Sequence, residues 1–385
     1  MQLNNILQVE LCTGCTACKF VCSKEAISFL PNEEGFLYPR VNKELCINCG
    51  KCLKICQQKS NIKFNKCISS YIAISKLKEI YKKAASGGIF GTLAFAFLKE
   101  YKDKAYVCGA SFESGKVRHI LINDAENISK IQNSKYVQSE LGNIYMQIKN
   151  KLEEGAYILF SGTPCQVQGL YSFLGYRPDR LLTLDLVCHG VPSPLFLKKD
   201  LQNYGLQKIK DISFRWKNVL FEKSTFFMTI SCHEVWLRKI RSSNADPYFA
   251  LFMRNMSFRE SCYSCSYARM ERVGDITIGD SHLSSEYPNF YPKLAKSCVL
   301  VNTALGNLYW SKFQRLFYFK EQNLLEEAKI NTQLSKPSNR PNLRNQVYHD
   351  LNSMDFKKFR LKYGRFDSVL KETLLSLLDK IPLKI

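Results

Sequence analysis

The sequence lacks any apolar run long enough to cross a membrane as a helix, which takes about 18 residues or more. The longest candidate, around Ile89–Leu98, is too short. Residues 1–12 also lack the basic region and the apolar core that a signal peptide requires. We therefore expect a soluble, cytoplasmic protein with no membrane span.

Acidic residues are scarce relative to basic ones, at 34 Asp and Glu against 55 Lys and Arg, for a formal net charge of +21. This excess fits attraction of an acidic redox partner or a phosphate-bearing cofactor, and it equally fits lysines spread over solvated faces. No nucleic-acid recognition module and no basic stripe interleaved with aromatic residues is present, so we expect no nucleic-acid partner.

Cysteine, by contrast, is abundant at 16 residues, which favours metal ligation in a reducing compartment over disulfides. Half of these cysteines form two C-x-x-C-x-x-C-x-x-x-C runs. Each run presents three thiolates to one [4Fe–4S] cluster and its fourth thiolate to the other cluster. The predicted ligands are Cys12, Cys15, Cys18 and Cys56 for cluster one, and Cys46, Cys49, Cys52 and Cys22 for cluster two. Two zinc knuckles are the alternative, but zinc usually takes two well-separated cysteine pairs.

The order of motifs along the 385 residues predicts two or three domains. A cysteine-rich module covers residues 1–60, with a hairpin between the two runs around an Asn-Glu-Glu-Gly turn. Residues 57–80 are interpreted as a Lys-rich connector with a strand-like patch at Ser70–Ile74. The core divides into residues 80–155 and 156–320. Residues 321–385 form a helical basic tail, which we expect to be a solvated appendage from Lys336 onward.

Two strand–loop–helix units in the core each place a cysteine after a strand, at Cys165 and at Cys188. Ligands bind at this edge of open α/β sheets. Together with the C-x-x-C pair Cys262 and Cys265, these thiols could hold a third [4Fe–4S] cluster or a zinc ion, or some could be buried apolar thiols. His189 is a weak candidate for moving a proton and a better one for a hydrogen bond beside the metal site. The other cysteines are expected to be inert: Cys67, Cys108, Cys232 and Cys298.

A Gly-rich loop, Ser86, Gly87 and Gly88, precedes an apolar helix. Such a loop can offer backbone N–H groups to a phosphate or a flavin, although two glycines before a helix are more often a turn. A long amphipathic helix is predicted after Ser139, with an apolar face formed by Leu141, Ile144, Tyr145 and Ile148. Residues 135–139 by themselves are consistent with an ordinary helix entrance.

Five segments of the core together resemble the coenzyme F420 hydrogenase/dehydrogenase beta-subunit family. They are SGGIFGTLA at 86–94, KYVQSELG at 135–142, LFSGTPCQVQGL at 159–170, LVCHGVPSP at 186–194 and ESCYSCSYARMERVGDITIGD at 260–280. The N-terminal runs resemble bacterial two-cluster ferredoxins. They depart from that pattern at Ser23 and Gln57, where proline is usual. Residues 279–283 lack the family's aromatic-Trp-Gly continuation, which makes coenzyme F420 an unsafe choice of substrate.

The resemblance implies an α/β fold (α+β overall): a small ferredoxin-like module, an α/β flavoprotein-type core and a helical C-terminal tail. It implies an iron–sulfur flavin-dependent oxidoreductase that receives electrons from a ferredoxin-like donor or partner subunit. The cofactors implied are [4Fe–4S] clusters and FAD, with coenzyme F420 or another small-molecule hydride acceptor. The implied flavin-site residues are Ser86, Gly87, Gly88, Lys135, Tyr136, Ser139, Gly162 and Thr163, and the implied third-cluster ligands are Cys165, Cys188, Cys262 and Cys265. The alternatives are an electron-carrier subunit without flavin chemistry and a zinc-stabilised basic binding module.

Overall fold

The computed structural model describes residues 8–59, 61–202, 204–217, 224–233, 235–283, 289–291, 294–364, 374 and 377. The strands are β1 Ile27–Pro31, β2 Leu37–Val41, β3 Ser69–Ser75, β4 Ala105–Glu113, β5 Lys116–Ile122, β6 Tyr157–Gly162, β7 Leu181–Leu186, β8 Ile209–Ser213, β9 Trp216–Lys217, β10 Ser224–Thr225, β11 Phe227–Cys232, β12 Val235–Ser242, β13 Ile276–Asp280, β14 Ser297–Val301 and β15 Phe317–Glu321. The helices are α1 Ala17–Phe20, α2 Lys51–Lys54, α3 Lys78–Lys83, α4 Ile89–Tyr101, α5 Ile128–Ile131, α6 Ile144–Glu153, α7 Pro164–Leu174, α8 Pro194–Gln202, α9 Pro247–Met253, α10 Ala304–Phe313, α11 Leu324–Ile330, α12 Arg344–Ser353 and α13 Phe356–Tyr363.

The predicted hairpin between the cysteine runs is confirmed. Strands β1 and β2 pair antiparallel from Ile27 opposite Val41 to Pro31 opposite Leu37. The side-chain oxygen of Asn32 accepts a hydrogen bond from the backbone N–H of Phe36 at 2.9 Å and closes the turn. The turn also needs Gly35, whose φ of +85° suits glycine and few other residues. The hairpin separates the two cysteine loops.

An eight-stranded mixed sheet forms the core, in the order β15-β3-β14-β13-β7-β6-β4-β5. The central strands β13, β7, β6 and β4 are parallel, and antiparallel strands complete both sides. Parallel central strands bring the loops after β6, β7 and β13 to one edge of the sheet, where α/β proteins bind ligands. Strands on both sides of residue 155 belong to this sheet, so the two predicted core segments share it.

Helices cover both faces of the sheet, which gives the predicted α/β architecture. On one face α4 and α10 bury Leu93 and Trp310 against strand residues such as Leu159. On the other face α6 and α7 bury Ile148 and Leu170. The helix predicted after Ser139 begins at Ile144, and its predicted apolar positions Leu141, Ile144, Tyr145 and Ile148 are all buried.

Strand β3 corrects the interpretation of residues 57–80 as a connector. It lies inside the sheet between β15 and β14, with Ser297 opposite Ala73 and Phe319 opposite the same residue. Ile72 and Ala73 are fully buried. The strand-like patch is therefore a core element, and the Lys-rich sequence around it hid that role.

The basic tail is helical as predicted, but its described part is not a solvated appendage. Arg344 on α12 is 1% exposed and makes a two-pronged ion pair with the Glu34 carboxylate, at 2.5 and 2.6 Å. Phe359 on α13 is fully buried in the cluster that also contains Phe36 of the N-terminal hairpin. The tail thus packs the cysteine-rich module against the core, because its basic composition conceals a buried apolar face.

Within the described part of the chain, no helix combines the length and the apolarity needed to cross a membrane.

Candidate metal centres

The two cysteine runs adopt the same backbone. Gly14 and Thr16 have φ values of +71° and +61°, and the equivalent Asn48 and Gly50 have +54° and +73°. A non-glycine residue rarely adopts positive φ and does so mostly where a site requires it. Alternating left- and right-handed backbone points successive N–H groups inward, toward an anion. The repeated geometry suits a negatively charged iron–sulfur cluster in each loop.

The predicted ligands of cluster one lie together. Cys12, Cys15, Cys18 and Cys56 all line one cavity of about 480 Å³. Burial, together with the nearby Cys12 and Cys56, raises the pKa of Cys15 to about 12. A buried thiolate is therefore stable only beside a cationic partner, which metal ligation supplies. The structure brings Cys56, from the second run, to the first loop as the spacing predicts.

The predicted ligands of cluster two lie nearer the surface. The pKa of Cys52 is raised by burial and, more weakly, by Cys22 and Cys46. Cys49 is exposed. Cys22 of the first run thus lies close to Cys52 of the second, as the predicted exchange of ligands requires. This placement makes cluster two the more accessible of the two sites.

The four remaining predicted ligands converge from three separate loops. Cys165, Cys188, Cys262 and Cys265 line a second cavity, of about 490 Å³. Burial raises the pKa of Cys262 to about 12, with Cys265 and Cys165 adding to the effect. The grouping is the one predicted from sequence, while the ligand roles stay predictions.

Local sequence explains how each thiol reaches this cavity. Thr163 caps α7 with its hydroxyl while Gln166 bonds back to the Thr163 N–H at 2.9 Å, so Cys165 sits in the first helical turn. The Thr163 hydroxyl also lies 3.1 Å from the Cys165 sulfur. Cys188 follows β7 by two residues, and Gly190 beside it has φ +143° and lies against the Phe258 ring, where a Cβ would clash at 2.4 Å.

A buried ion pair holds the loop that carries the C-x-x-C pair. Arg272 and Asp185 are 1% and 0% exposed and lie 3.0 Å apart. Arg272 also donates to the carbonyl oxygens of Tyr267 at 2.8 Å and Arg269 at 3.1 Å. Asp185 accepts a further bond from the Thr277 hydroxyl at 2.7 Å. The loop is thereby attached to strand β7, whose end carries Cys188.

Arg259 attaches the same loop to the cysteine-rich module. Its guanidinium is fully buried and donates to the Cys12 carbonyl at 2.6 Å, the Leu37 carbonyl at 3.0 Å and the Gln138 side chain at 3.0 Å. The Tyr38 ring lies 4.0 Å from the guanidinium carbon. One arginine thus connects the first cysteine loop, the hairpin and the third cysteine group.

The predicted flavin residues Ser86, Gly87 and Gly88 lie at the same sheet edge, beside β14. Their donors are used within the protein: the Ser86 hydroxyl bonds the Lys296 carbonyl at 2.6 Å, and the Gly87 N–H bonds the Ser297 hydroxyl at 2.9 Å. A Cβ at Gly87 would lie 2.4 Å from the Ala73 carbonyl oxygen, so close packing explains this glycine. The Ser86 hydroxyl and the Gly87 N–H are therefore not available to hold a phosphate.

The side chains of Lys135 and Tyr136, two predicted flavin residues, have different neighbours. The Lys135 ammonium donates to the carbonyls of Lys130 and Gln132, and burial lowers its pKa to about 8. The Tyr136 ring stacks on Phe252 with centroids 4.3 Å apart. Its hydroxyl accepts from Arg215 at 3.3 Å.

A charged pair that the sequence did not indicate lies at the end of β13. Arg215 is buried and bonds the Asp280 carboxylate at 2.5 Å. Lys217, also buried, donates to the Ser86 carbonyl at 2.5 Å. Burial lowers the pKa of His189, and the nearby Asp280 opposes that shift. His189 also lines the cavity of the third cysteine group, next to this pair.

Ser139 belongs to a buried network with His119. The Ser139 hydroxyl lies 3.0 Å from His119 Nδ1 and accepts from Gln166 at 2.9 Å. Gln166 in turn accepts from the Thr163 N–H, which connects Ser139 to the end of β6 and to Gly162. Ser139 and Thr163, with the adjacent Gly162, therefore belong to one hydrogen-bond network, while Ser86 and Gly87 bond Lys296 and Ser297 at the start of β14.

Burial lowers the pKa of His119 from 6.5 to about 4. Between these values the unfolded chain binds a proton that the folded chain does not, so we expect stability to fall as pH drops from 6.5 to 4. The loss should be on the order of 3 kcal/mol. Anaerobic denaturant titrations at several pH values measure it. His119→Gln cannot titrate and should lose this share of the pH dependence. Equal slopes in both proteins would contradict the prediction.

No set of three or more His, Cys, Asp or Glu side chains among the described residues is arranged to hold a metal ion at a single point. The twelve predicted thiols instead line cavities or surround an accessible loop. In a [4Fe–4S] cluster each thiolate binds a different iron, so the thiols stand further apart than ligands of one ion. The cysteine arrangement suits such clusters.

Known protein families match both parts of the chain. Residues 11–60 match the 4Fe-4S dicluster domain, and residues 155–327 match the model of the C terminus of the coenzyme F420 hydrogenase/dehydrogenase beta subunit. The chain joins a 4Fe-4S dicluster domain to a domain of the F420 hydrogenase/dehydrogenase beta-subunit family. The dicluster domain contains all eight cysteines of the two runs, and the beta-subunit domain contains all four of the third group.

Individual relatives are more distant. The chain is 28% identical over 197 residues to a coenzyme F420-dependent sulfite reductase of Methanocaldococcus jannaschii, covering 50% of this chain and 30% of that protein. It therefore spans less than a third of that relative. A solved structure of the F420-reducing [NiFe] hydrogenase complex from Methanosarcina barkeri contains a similar chain, with 19% identity and a TM-score of 0.49. That match covers 79% of this chain and 97% of the other.

Several residues that hold the dicluster and beta-subunit domains in place could not be identified from the sequence. Arg272 and Asp185 belong to no local motif, and only their burial reveals them. Arg215 and Lys217 follow a β-rich stretch without a distinctive spacing. Gln57 stands out in the sequence only as a departure from proline. Their common feature is a long-range hydrogen bond, which local spacing does not encode.

Proposed function

We propose that the protein is an iron–sulfur flavoprotein oxidoreductase, acting with a redox partner or within a redox complex. It would exchange electrons between a ferredoxin-like donor and a hydride acceptor such as a deazaflavin. The observation that carries the proposal is the convergence of Cys165, Cys188, Cys262 and Cys265 on one cavity beside the cluster-one site. The resemblance of both domains to iron–sulfur and coenzyme F420 proteins supports it.

The residues of this chain would hold and insulate the redox groups. [4Fe–4S] clusters supply one-electron transfer. Arg259 and Arg272 fix the cysteine loops, and burial raises the pKa of the half-buried Cys15 and Cys165 thiols, which would favour metal ligation over a free thiolate. FAD enters the proposal through the family resemblance, because the donors of Ser86 and Gly87 are already engaged within the protein.

Anaerobic reconstitution followed by iron, sulfide and flavin counts tests the proposal. We expect about twelve irons and as many sulfides per chain, from three four-iron clusters, together with one FAD. A count of about eight irons per chain would contradict the prediction of a third cluster. Twelve irons without flavin would favour an electron-carrier subunit. A colourless protein with stoichiometric zinc would favour a zinc-stabilised binding module.

A further inference from the structure

Gln57 lies between the cluster-one cysteines and the third cysteine group. Both ends of its side-chain amide bond residues in or beside the third group. It directly follows Cys56, a predicted ligand of cluster one. Its side-chain nitrogen donates to the Cys165 carbonyl at 2.7 Å. Its side-chain oxygen accepts from the Tyr267 hydroxyl at 2.5 Å. We propose that Gln57 is a positioning residue that fixes the third cysteine group relative to the cluster-one site.

The surroundings of Gln57 support this role. It lines both cavities. Tyr267, which holds its oxygen, is 4% exposed and lies within electrostatic range of Cys165 and Cys15, one from each group. Helix α7, which carries Cys165, also packs directly against the first group, since a Cβ at Gly169 would lie 3.3 Å from the Cys15 sulfur. The amide therefore lies between residues that belong to both groups or contact them.

Glutamine suits this position for a physical reason. Proline, usual here in the ferredoxin pattern, has no side-chain donor or acceptor and could make neither bond. The amide uses its donor on Cys165 and its acceptor on Tyr267, so it has one preferred orientation. Buried hydrogen bonds of this kind hold loops that packing alone leaves free, and losing one leaves a polar group unsatisfied. Groups that orient metal ligands in this way typically affect metal affinity about 10–100-fold.

The inference rests on the proposed function, because it assumes that both groups hold clusters. It adds that the Gln57 side chain joins the end of the dicluster domain to Cys165 and Tyr267 of the beta-subunit domain, in addition to the bonds that Arg259 makes. The cysteines themselves do not provide this bond. Without it, Cys165 keeps its helix position but loses its connection to residue 57.

The test compares Gln57→Leu with Gln58→Leu in the full reconstituted chain. Gln58 is the neighbouring glutamine and also lines both cavities, but its amide bonds the Gln8 carbonyl on the exposed side. We expect Gln57→Leu to weaken the magnetic interaction between reduced clusters in EPR spectra. We also expect it to speed iron loss from the third cluster to a chelator by about tenfold. Gln58→Leu should change neither.

The outcomes separate the inference from the proposed function. About eight irons in the unmodified protein would overturn the proposed function and this inference with it. Twelve irons with an unchanged EPR interaction and chelation rate in Gln57→Leu would overturn the inference alone. If Gln57→Leu loses the third cluster entirely, the Tyr267→Phe variant tests the positioning role instead. That variant removes only the hydroxyl that orients the Gln57 amide. An unaltered spectrum in Tyr267→Phe would then count against Gln57 as a positioning residue.

Discussion

Replacing Cys165 with serine should lower the iron content of the reconstituted protein from about twelve to about eight atoms per chain, a loss of one four-iron cluster. Cys165 occupies the first turn of α7 and faces Cys188, Cys262 and Cys265 across the cavity. A serine hydroxyl keeps the size and the helix but does not ionise to a metal-binding thiolate at neutral pH. Iron and sulfide counts after anaerobic reconstitution measure the change, and visible absorbance should fall by about a third.

Cys67→Ser is the matched control. Cys67 is a half-buried thiol outside the three groups, and its sulfur donates to the Ser69 carbonyl at 3.1 Å, a bond that a hydroxyl can replace. We expect this variant to retain about twelve irons. Equal iron in the two variants would show that Cys165 is not a ligand. Loss of all iron from Cys165→Ser would instead indicate a folding defect. In that case Cys262→Ser, which removes another predicted ligand of the same cluster, is the variant whose iron content tests the prediction.

The second large effect is expected from Arg272→Met, which should lower the free energy of unfolding by about 3–5 kcal/mol. Asp185 is fully buried and would lose the guanidinium that lies 3.0 Å away. The bonds from Arg272 to the Tyr267 and Arg269 carbonyls would also disappear, so the C-x-x-C loop would loosen. Anaerobic denaturant titration measures the stability, and the same sample reports whether the third cluster is retained.

Lys329→Met serves as the control for this variant. It breaks the Lys329–Glu326 pair, at 2.6 Å, on the surface of α11, where the lysine side chain is 69% exposed. Exposed pairs of this type contribute about 0–1 kcal/mol, so little change is expected. A similarly small effect for Arg272→Met would mean that the buried pair is dispensable and that packing alone holds the loop.

The parts of the site that follow from local spacing were predictable. Each cysteine run needs only its own loop to bring three thiols together, and the positive φ values at Gly14 and Asn48 repeat with the motif. The hairpin between the runs followed from its turn residues. The cysteines after β6 and β7 followed from the rule that parallel strands end at one edge.

Other features required contacts between distant segments. Nothing in the local pattern of residues 69–75 distinguishes an inner strand from a connector strand, because its neighbours β14 and β15 lie more than 200 residues later. The prediction of a solvated tail is wrong for the same reason. The charge of the tail is visible in the sequence, but the partner of Arg344 is Glu34, 310 residues away.

The sequence by itself determined the candidate ligands: twelve of its sixteen cysteines lie in motif positions and are the thiols predicted to bind metal. The tertiary structure alone decided how the three groups are arranged, through Arg259, Arg272 and the Gln57 amide. The physical reason is the range of the interactions. Thiol spacing within a loop depends on a few neighbouring backbone angles, whereas the packing of α7 at Gly169 against Cys15 depends on how the whole sheet, the hairpin and the C-terminal helices pack.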